Sequence, residues 1–453
     1  MKKLAIGVLG AGALAVAGAL GTSYYVGAHI QEAITQMAEA WTSEDGLTVR
    51  ILDYDRGLFT SRATTLWSIA TEEDNYDLTV THDIVHGPWP MGKAAKVISR
   101  FLLPQDSDAA LVEALQKRPP LEWTTIASWS GATAHNVTSP NFQTAFEDGS
   151  ALTWGGLKAE WTLSATRDTA QGFVRMPVLR VEVQDGSRMD VEDAELTFDA
   201  QIPQGYSFWT GPTAMKLGML SVLDTEDGTQ LKLQNLRLEG SNVLQDSLLQ
   251  SGMQVQLQNV ESPSFRAKNL ALHVQVKNIQ ANWFEQLMQW AQAGPEAEAQ
   301  TTALLQNLPE LLAGQPELHI QQLSMDSSDG PVSLNAHVRY TGTSPEEFNP
   351  TTDLEGQLQT AMPVTVLKQL LGSRVRSDYL QLLEQMDREL DEAELQAAVD
   401  DGVGKRLKAL LSQGVVQKQG ESVKASLSFS NGEFKLNDQP QTLQQLLGIG
   451  GAL

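Results

Sequence analysis

The stretch HDIVHGPWP, residues 82–90, contains two of the seven histidines in the chain and is the first candidate for chemistry. His82 and His86 are four residues apart, a spacing that on a helix lets two imidazoles share one metal ion. The Gly-Pro pair after His86 would end such a helix, and the alternation over residues 76–82 indicates a strand. Side chains four apart on a strand are separated by about 13 Å, which is too far for one ion. We therefore predict no metal ligation by this pair.

An architectural role fits the same stretch. We expect a strand over residues 80–85, a rigid corner over 86–90 and a helix from Lys93 onward, because the two prolines preset the backbone of the corner. His86 would hydrogen-bond backbone groups at this corner while Trp89 packs beneath it. A hydrolase that uses His82 or His86 stays as an alternative.

Other catalytic motifs fail at specific positions. A phosphate-binding loop ending at Gly404-Lys405 would need glycine in place of Val399 and Ser or Thr in place of Arg406. The sequence contains no G-x-S-x-G nucleophile elbow. It also contains no cysteine, which excludes disulfides, thiolate nucleophiles and cysteine-ligated metals. We predict no catalytic residue, no metal ligand and no cofactor, and hence a protein that is not an enzyme.

Composition narrows the class of partner. Hydrophobic residues make up 42% of the chain and charged residues 19%, as in a folded protein. The 55 acidic residues outnumber the 32 basic ones, giving a net charge of -23. Such a surface repels phosphate backbones, and the sequence offers no basic stripe, so nucleic acid is excluded as a partner.

The N-terminus predicts a membrane anchor. Residues 4–28 contain no charged side chain, and about 20 such residues span a bilayer core. Lys2 and Lys3 precede the span, which predicts a cytoplasmic N-terminus and a body on the other side of the membrane. A cleaved signal peptide is the alternative, because small-x-small patterns occur inside the span. The predicted anchor residues include Leu4, Leu9, Leu14, Leu20, Tyr24 and Tyr25.

Strand patterns dominate the rest of the chain. Residues 47–69 read as two strands around Arg56-Gly57, and strict alternation recurs at 253–257, 270–276 and 332–340. Helical spacing marks residues 29–41, 106–118, 281–314 and 364–413. The predicted fold class is α+β and β-rich, with an N-terminal transmembrane helix, an extended, curved, largely antiparallel sheet and interspersed amphipathic helices.

Breaks in these patterns divide the chain into four regions. We predict an anchor over 1–28, a β-rich periplasmic region over 29–205, a central β-rich region over 206–342 with a helical insertion at 281–314, and a C-terminal α+β region over 343–453.

Three motifs resemble those of the YdgA-like family of bacterial envelope proteins. They are YDRGLFTSR at 54–62, HGPWP at 86–90 and SFSNGEFKLNDQPQTLQQLLG at 428–448. Val85 stands where family members often have Asp, and Asn437-Asp438 where Asn-Gly is common. The residues that carry the resemblance are our candidate site residues: Tyr54, Arg56, Gly57, Phe59, His86, Gly87, Pro88, Trp89, Asn431, Gly432 and Asn437.

The resemblance implies a single-pass protein of the bacterial inner membrane with a periplasmic β-rich body in a Gram-negative bacterium, and it implies no enzymatic activity. Our leading hypothesis is that the body binds an envelope protein or a second copy of itself. The alternative is binding or transfer of a lipid or another hydrophobic ligand, with the apolar helices between Trp283 and Leu312 enclosing a groove.

Overall fold

The computed structural model describes residues 47–56, 60–70, 75–86, 93–226, 228–263, 265–292, 307–386 and 391–450. The predicted anchor, with Leu4, Leu9, Leu14, Leu20, Tyr24 and Tyr25, and the predicted helix at 29–41 lie outside these residues. Among the helices that are described, none is both long enough and apolar enough to cross a membrane.

The chain divides into two compact units. Unit 1 comprises residues 1–205, 209–237 and 261–263, and unit 2 comprises residues 206–208, 238–260 and 264–453. The four regions drawn from the sequence stay predictions.

The described residues of unit 1 form strands and one short helix. In chain order these are β1 Leu47–Arg56, β2 Thr60–Ala70, β3 Asn75–His86, β4 Ala95–Phe101, α1 Ala109–Leu115, β5 Leu121–Ala127, β6 Thr133–Ser139, β7 Phe142–Ala145, β8 Ala151–Trp154, β9 Leu157–Leu163, β10 Thr169–Glu182, β11 Arg188–Gln201, β12 Gly211–Leu223 and β13 Gln230–Gln245, which continues into unit 2.

The strands of unit 1 pair antiparallel in the order β1-β2-β3-β4-β5-β6-β9-β10-β11-β12. The β7–β8 hairpin joins the far end of β10, so β8 and β9 share one edge of that strand. Gly155-Gly156 makes the corner between them. A Cβ on Gly155 would lie 2.8 Å from the Val178 backbone nitrogen, and Gly156 has a φ of +90°.

Alternation along each strand puts large side chains on one face, which forms the core of unit 1. In β9, Leu157, Ala159, Trp161 and Leu163 are buried, while the residues between them are at least partly exposed. Trp67, Trp123 and Trp154 from other strands join the same core. Burying one such aromatic or aliphatic side chain completely, rather than leaving it exposed, contributes about 1.5–3 kcal/mol to the free energy of unfolding.

Residues 95–101 form β4, where the sequence predicted a helix from Lys93 onward, so that prediction is wrong. β4 pairs with β3 on one side and β5 on the other. These two neighbours supply hydrogen bonds along both edges and override the helical preference of its Ala and Lys residues. HGPWP therefore joins two antiparallel strands rather than a strand and a helix.

Unit 2 contains the remaining strands and helices. They are β14 Leu248–Glu261, whose last residue belongs to unit 1, β15 Arg266–Gln280, α2 Ala281–Gln292, α3 Leu308–Ala313, β16 Glu317–Ser327, β17 Gly330–Tyr340, a 3-10 turn Pro345–Glu347, β18 Leu354–Pro363, α4 Val364–Gln385, α5 Glu392–Ser412, β19 Gln417–Gln419, β20 Ser422–Ser430, β21 Glu433–Leu436, β22 Gln439–Gln441 and α6 Leu443–Gly450.

An antiparallel sheet in the order β15-β16-β17-β18-β20-β21-β22 forms the centre of unit 2. The α4–α5 helix pair packs through Leu371, Val375, Val399 and Val403 over Val423 of β20. Asp391 caps α5 by accepting a 2.7 Å hydrogen bond from the backbone of Glu394. The β-rich α+β class is thus confirmed.

Candidate functional site

His82 is a buried part of the unit 1 core. It lies on β3, which is paired on both edges, and on the face that carries Val80 and Ile84. Its Nε2 atom lies 2.9 Å from Thr65 Oγ1 and its Nδ1 atom 2.8 Å from Ser99 Oγ, while Trp67 Nε1 donates to Thr65. Burial lowers the pKa of His82 to about 4. A neutral ring that donates at one nitrogen and accepts at the other satisfies both contacts.

These contacts argue against a hydrolase centred on His82. The Ser99–His82 pair has the separation of a nucleophile and its base. However, His82 is only 5% exposed and Ser99 8%, so a substrate in solvent does not reach them. His86 ends β3, but its side chain, together with Gly87, Pro88 and Trp89, lies outside the described residues.

His135 repeats this arrangement on β6. Its Nε2 atom is 2.8 Å from Thr133 Oγ1, and its Nδ1 atom is 3.0 Å from Thr125 Oγ1 and accepts from Trp123 Nε1 at 3.3 Å. The ring stacks on Trp161 with the centroids 4.8 Å apart. Burial lowers its pKa to about 4 as well. Sequence reasoning did not single out His135, although its place on an alternating strand is a signal for a buried histidine.

The C-terminal motif residues form turns. Asn431 and Gly432 connect β20 to β21, and both have positive φ, as a tight hairpin requires. Asn437 connects β21 to β22 with a φ of 50°. Its Oδ1 accepts from the Ser426 backbone at 2.8 Å, and its Nδ2 donates to the carbonyls of Gly414 and Val415. Asn437 thus ties the end of α5 to the β20–β21 hairpin.

The N-terminal motif residues are only partly described. Tyr54 packs against Ala63 and Ile84 on β1–β3. Arg56 ends β1 and is exposed, while Gly57 and Phe59 lie outside the described residues. The motif at residues 54–62 therefore spans the end of β1 and the start of β2, which pair antiparallel. Its part in a functional site stays a prediction.

A second histidine cluster lies on the polar face of unit 2. Glu317 and His319 are two apart on β16 and share a face, and His337 of β17 is directly opposite His319. His319 Nε2 and Glu317 Oε2 are 2.9 Å apart. The two imidazoles stack with centroids 4.1 Å apart. One ligand atom from each of the three residues lies within 4.8 Å of the other two.

The charges of this polar-face cluster follow from its hydrogen bonds and burial. The hydrogen bond from His319 holds the pKa of the Glu317 carboxyl below its usual value. Burial, followed by the charge on His319, lowers the pKa of His337. Nε2 of His337 is buried and has no hydrogen-bond partner among the described residues. Sequence reasoning predicted no metal ligand and missed this cluster, for which Glu-x-His on an alternating strand was the local signal.

The opposite face of the same sheet is apolar and only half covered. Residues directly opposite one another on paired strands share a face. We call this surface the open apolar face; every side chain in it is half-buried or exposed, and Leu318 is 40% exposed. Its members are Leu272, Val274, Leu318, Ile320, Leu323, Leu334, Ala336, Val338, Leu358 and Leu427.

Two helical covers border the open apolar face. At one end Val276 packs with Trp283, Phe284 and Leu311 of α2 and α3. At the other end Met362 of β18 packs beneath the α4–α5 pair. The apolar strip between the two covers is half-buried to exposed within the part of unit 2 that the structure describes.

Comparison with known proteins gives this chain a family. The family model described as "Bacterial protein of unknown function (DUF945)" matches residues 1–444, and the chain belongs to that family. Protein YdgA of Escherichia coli strain K12 is 22% identical over 501 aligned positions, which cover 98% of this chain and 96% of YdgA. No solved structure matches. The predicted resemblance to the YdgA-like family is confirmed.

Proposed function

We propose that this protein is a non-enzymatic component of the bacterial cell envelope, anchored in the inner membrane by residues 4–28, whose periplasmic body binds lipid acyl chains on the open apolar face. The uncharged N-terminal stretch after Lys2 and Lys3 supports the anchor. The absence of cysteine suits an oxidising compartment such as the periplasm.

The open apolar face is the observation that carries the proposal. Its members are all aliphatic, and Thr360, which shares the face opposite Leu334, already donates its hydroxyl to the Ser333 carbonyl at 3.0 Å. Protein interfaces draw most of their binding energy from Trp, Tyr and Arg anchors, which this face lacks. An acyl chain needs only apolar contact, at about 0.8 kcal/mol for each buried methylene. About eight methylenes would contribute about 6 kcal/mol before ordering costs.

The test compares two substitutions on neighbouring residues of β17. Ala336→Trp would fill the middle of the open apolar face, whereas Asn335→Trp adds the same side chain to the polar face. The full-length protein is purified in detergent, its organic extract is analysed by mass spectrometry, and uptake of a labelled phospholipid is measured. We expect lipid in wild type and Asn335→Trp and loss of most uptake in Ala336→Trp. Equal uptake by both variants, or none by wild type, refutes the proposal.

The natural lack of cysteine provides a direct test of topology. Ser328 lies in the exposed turn between β16 and β17. A membrane-impermeant maleimide applied to cells with a permeabilised outer membrane should label Ser328→Cys. Lys3→Cys should react only after lysis. The reverse pattern would place the body in the cytoplasm and contradict the localisation.

A protein partner is the second candidate, and a different surface favours it. Leu370, Leu380, Leu382 and Met386 of the α4 segment are 47–58% exposed. Leu382 and Met386 are four residues apart and lie on one side of the helix, so together they form an exposed apolar patch of the kind that mediates association. If they mediate self-association, Leu382→Gln should lower the molar mass measured by light scattering of the detergent-solubilised protein, whereas Ala336→Trp should not.

A further inference from the structure

We propose that Glu317, His319 and His337 form a binding site for one divalent transition-metal ion, with Zn²⁺ as the reference ion. Two imidazoles and one carboxylate make up a ligand set that Zn²⁺ uses with a fourth position open to water. The same set suits Cu²⁺ and Ni²⁺, whereas Ca²⁺ and Mg²⁺ prefer oxygen ligands. This site lies on the opposite face of the sheet from the open apolar face, so it stands independently of lipid binding.

The strands hold the three side chains within reach of a single ion. The ligand atoms lie within 4.8 Å of one another, and Glu317 Oε2 is already 2.9 Å from His319 Nε2. Metal–ligand bonds of about 2.0–2.2 Å require a somewhat closer approach, which rotation of the His337 side chain would supply. Because Glu317 and His319 are on one strand and His337 is on its hydrogen-bonded neighbour, the backbone does not need to move.

The polar atoms of the cluster are incompletely satisfied without an ion. The Glu317–His319 hydrogen bond pairs one nitrogen of one ring, and ring stacking accounts for the packing of His337. Neither contact uses His337 Nε2, which is buried without a hydrogen-bond partner among the described residues. A buried polar atom in this condition is costly, and a metal ion would use its lone pair.

The surrounding charges leave the carboxylate available to a cation. Arg339 is opposite Glu317 on β17, but its guanidinium donates to Glu355 at 2.8 Å. Lys277 is opposite Glu317 on β15, but the ion pair that Glu317 makes among the described residues is with His319. The Glu317 carboxylate, with His319 Nε2 2.9 Å away, and the unpartnered Nε2 of His337 therefore present ligand atoms to the same point on the polar face.

The test measures Zn²⁺ binding to the full-length protein, purified in detergent with a histidine-free affinity tag and stripped with a chelator. Titration calorimetry should give one Zn²⁺ per chain. His337→Phe keeps the ring stack but removes both nitrogens, and Glu317→Gln keeps a similar shape but removes the charge. Each should weaken binding at least about tenfold. His273→Gln, on the same face of β15, is the matched control and should bind as wild type does.

Separate measurements distinguish a variant that fails to fold from one that folds but does not bind the metal. Circular dichroism of the metal-free variants should match that of wild type. Paramagnetic resonance of bound Cu²⁺ should show hyperfine coupling to two imidazole nitrogens in wild type and to one in His337→Phe. The proposal is overturned if wild type binds no Zn²⁺, or if folded His337→Phe and Glu317→Gln both bind it with unchanged affinity.

Discussion

The buried histidines make the stability of unit 1 depend on pH in a direction that the structure fixes. His82 and His135 have pKa values of about 4 in the folded protein, against 6.5 for an unperturbed histidine. Between these values the unfolded chain binds protons that the folded chain does not. The stability that the two neutral, buried rings contribute is therefore fully present above pH 6.5 and is lost as the pH falls towards 4. A pKa difference of about 2.5 corresponds to about 3 kcal/mol for each histidine.

Replacing His82 with a residue that does not titrate measures how much of the acid-induced loss of stability is due to that histidine. Gln at position 82 can still hydrogen-bond Thr65 and Ser99 but does not titrate, so His82→Gln should lose about 3 kcal/mol less than wild type between pH 7 and pH 4. Urea unfolding followed by tryptophan fluorescence measures the difference, because Trp67 and Trp123 contact these histidines or their partners. With slopes of about 1–3 kcal/mol per molar urea, the midpoint should shift by about 1 M or more.

Two controls separate titration from simple damage to the core. If His82→Gln has a lower free energy of unfolding than wild type at pH 7, the difference measures lost packing. Only the change in that difference between pH 7 and pH 4 measures protonation of the histidine. Carboxylates titrate in both proteins and cancel in the comparison. His273→Gln, which removes a histidine from unit 2, should leave the dependence of unit 1 unchanged. Parallel pH profiles for wild type and His82→Gln would show that burial of the neutral ring does not govern acid stability.

Three further predictions concern a positive φ and the space around two glycines. Asn437→Ala removes three hydrogen bonds and leaves a residue with a Cβ at a φ of 50°, so the urea midpoint of unit 2 should fall by the equivalent of about 2–3 kcal/mol; a change below about 0.5 kcal/mol would contradict this. Gly172→Ala would drive a Cβ into the Glu160 carbonyl and Trp161, and we expect a loss of about 1–3 kcal/mol in unit 1. Gly404→Ala, in α5 with nothing near its Cβ position, should instead raise thermal stability by about 1 kcal/mol, and stabilisation by both glycine substitutions would refute the steric argument.

Sequence patterning identified strands in both units because a buried face enforces the period of two. Alternation alone correctly predicted β15 and β17, and helical spacing over residues 364–413 correctly predicted the α4–α5 pair. β4 was misread because Ala and Lys favour a helix locally, while the two strands that flank β4 are distant in sequence. Burial of His82 was also hidden, since its hydroxyl partners come from β2 and β4 and neither is near it in the chain.

The polar-face cluster shows why a site can be missed even when one of its two strands, β17, is predicted correctly. Ser327 pairs with Gly330, and an unbroken hairpin would continue so that His337 lay opposite Ile320 and away from His319. The structure instead has one extra residue in β16 between Ile320 and Leu323, which shifts the register and brings the histidines together. The bulge is visible in the sequence, because the apolar positions of β16 change from even to odd numbers across Gln321-Gln322. Two adjacent polar residues that interrupt an alternating strand therefore predict a bulge. Residues on the far side of the bulge then lie on the opposite face of the sheet from the one that an unbroken strand would give them, and a candidate site has to be assigned with that shift included.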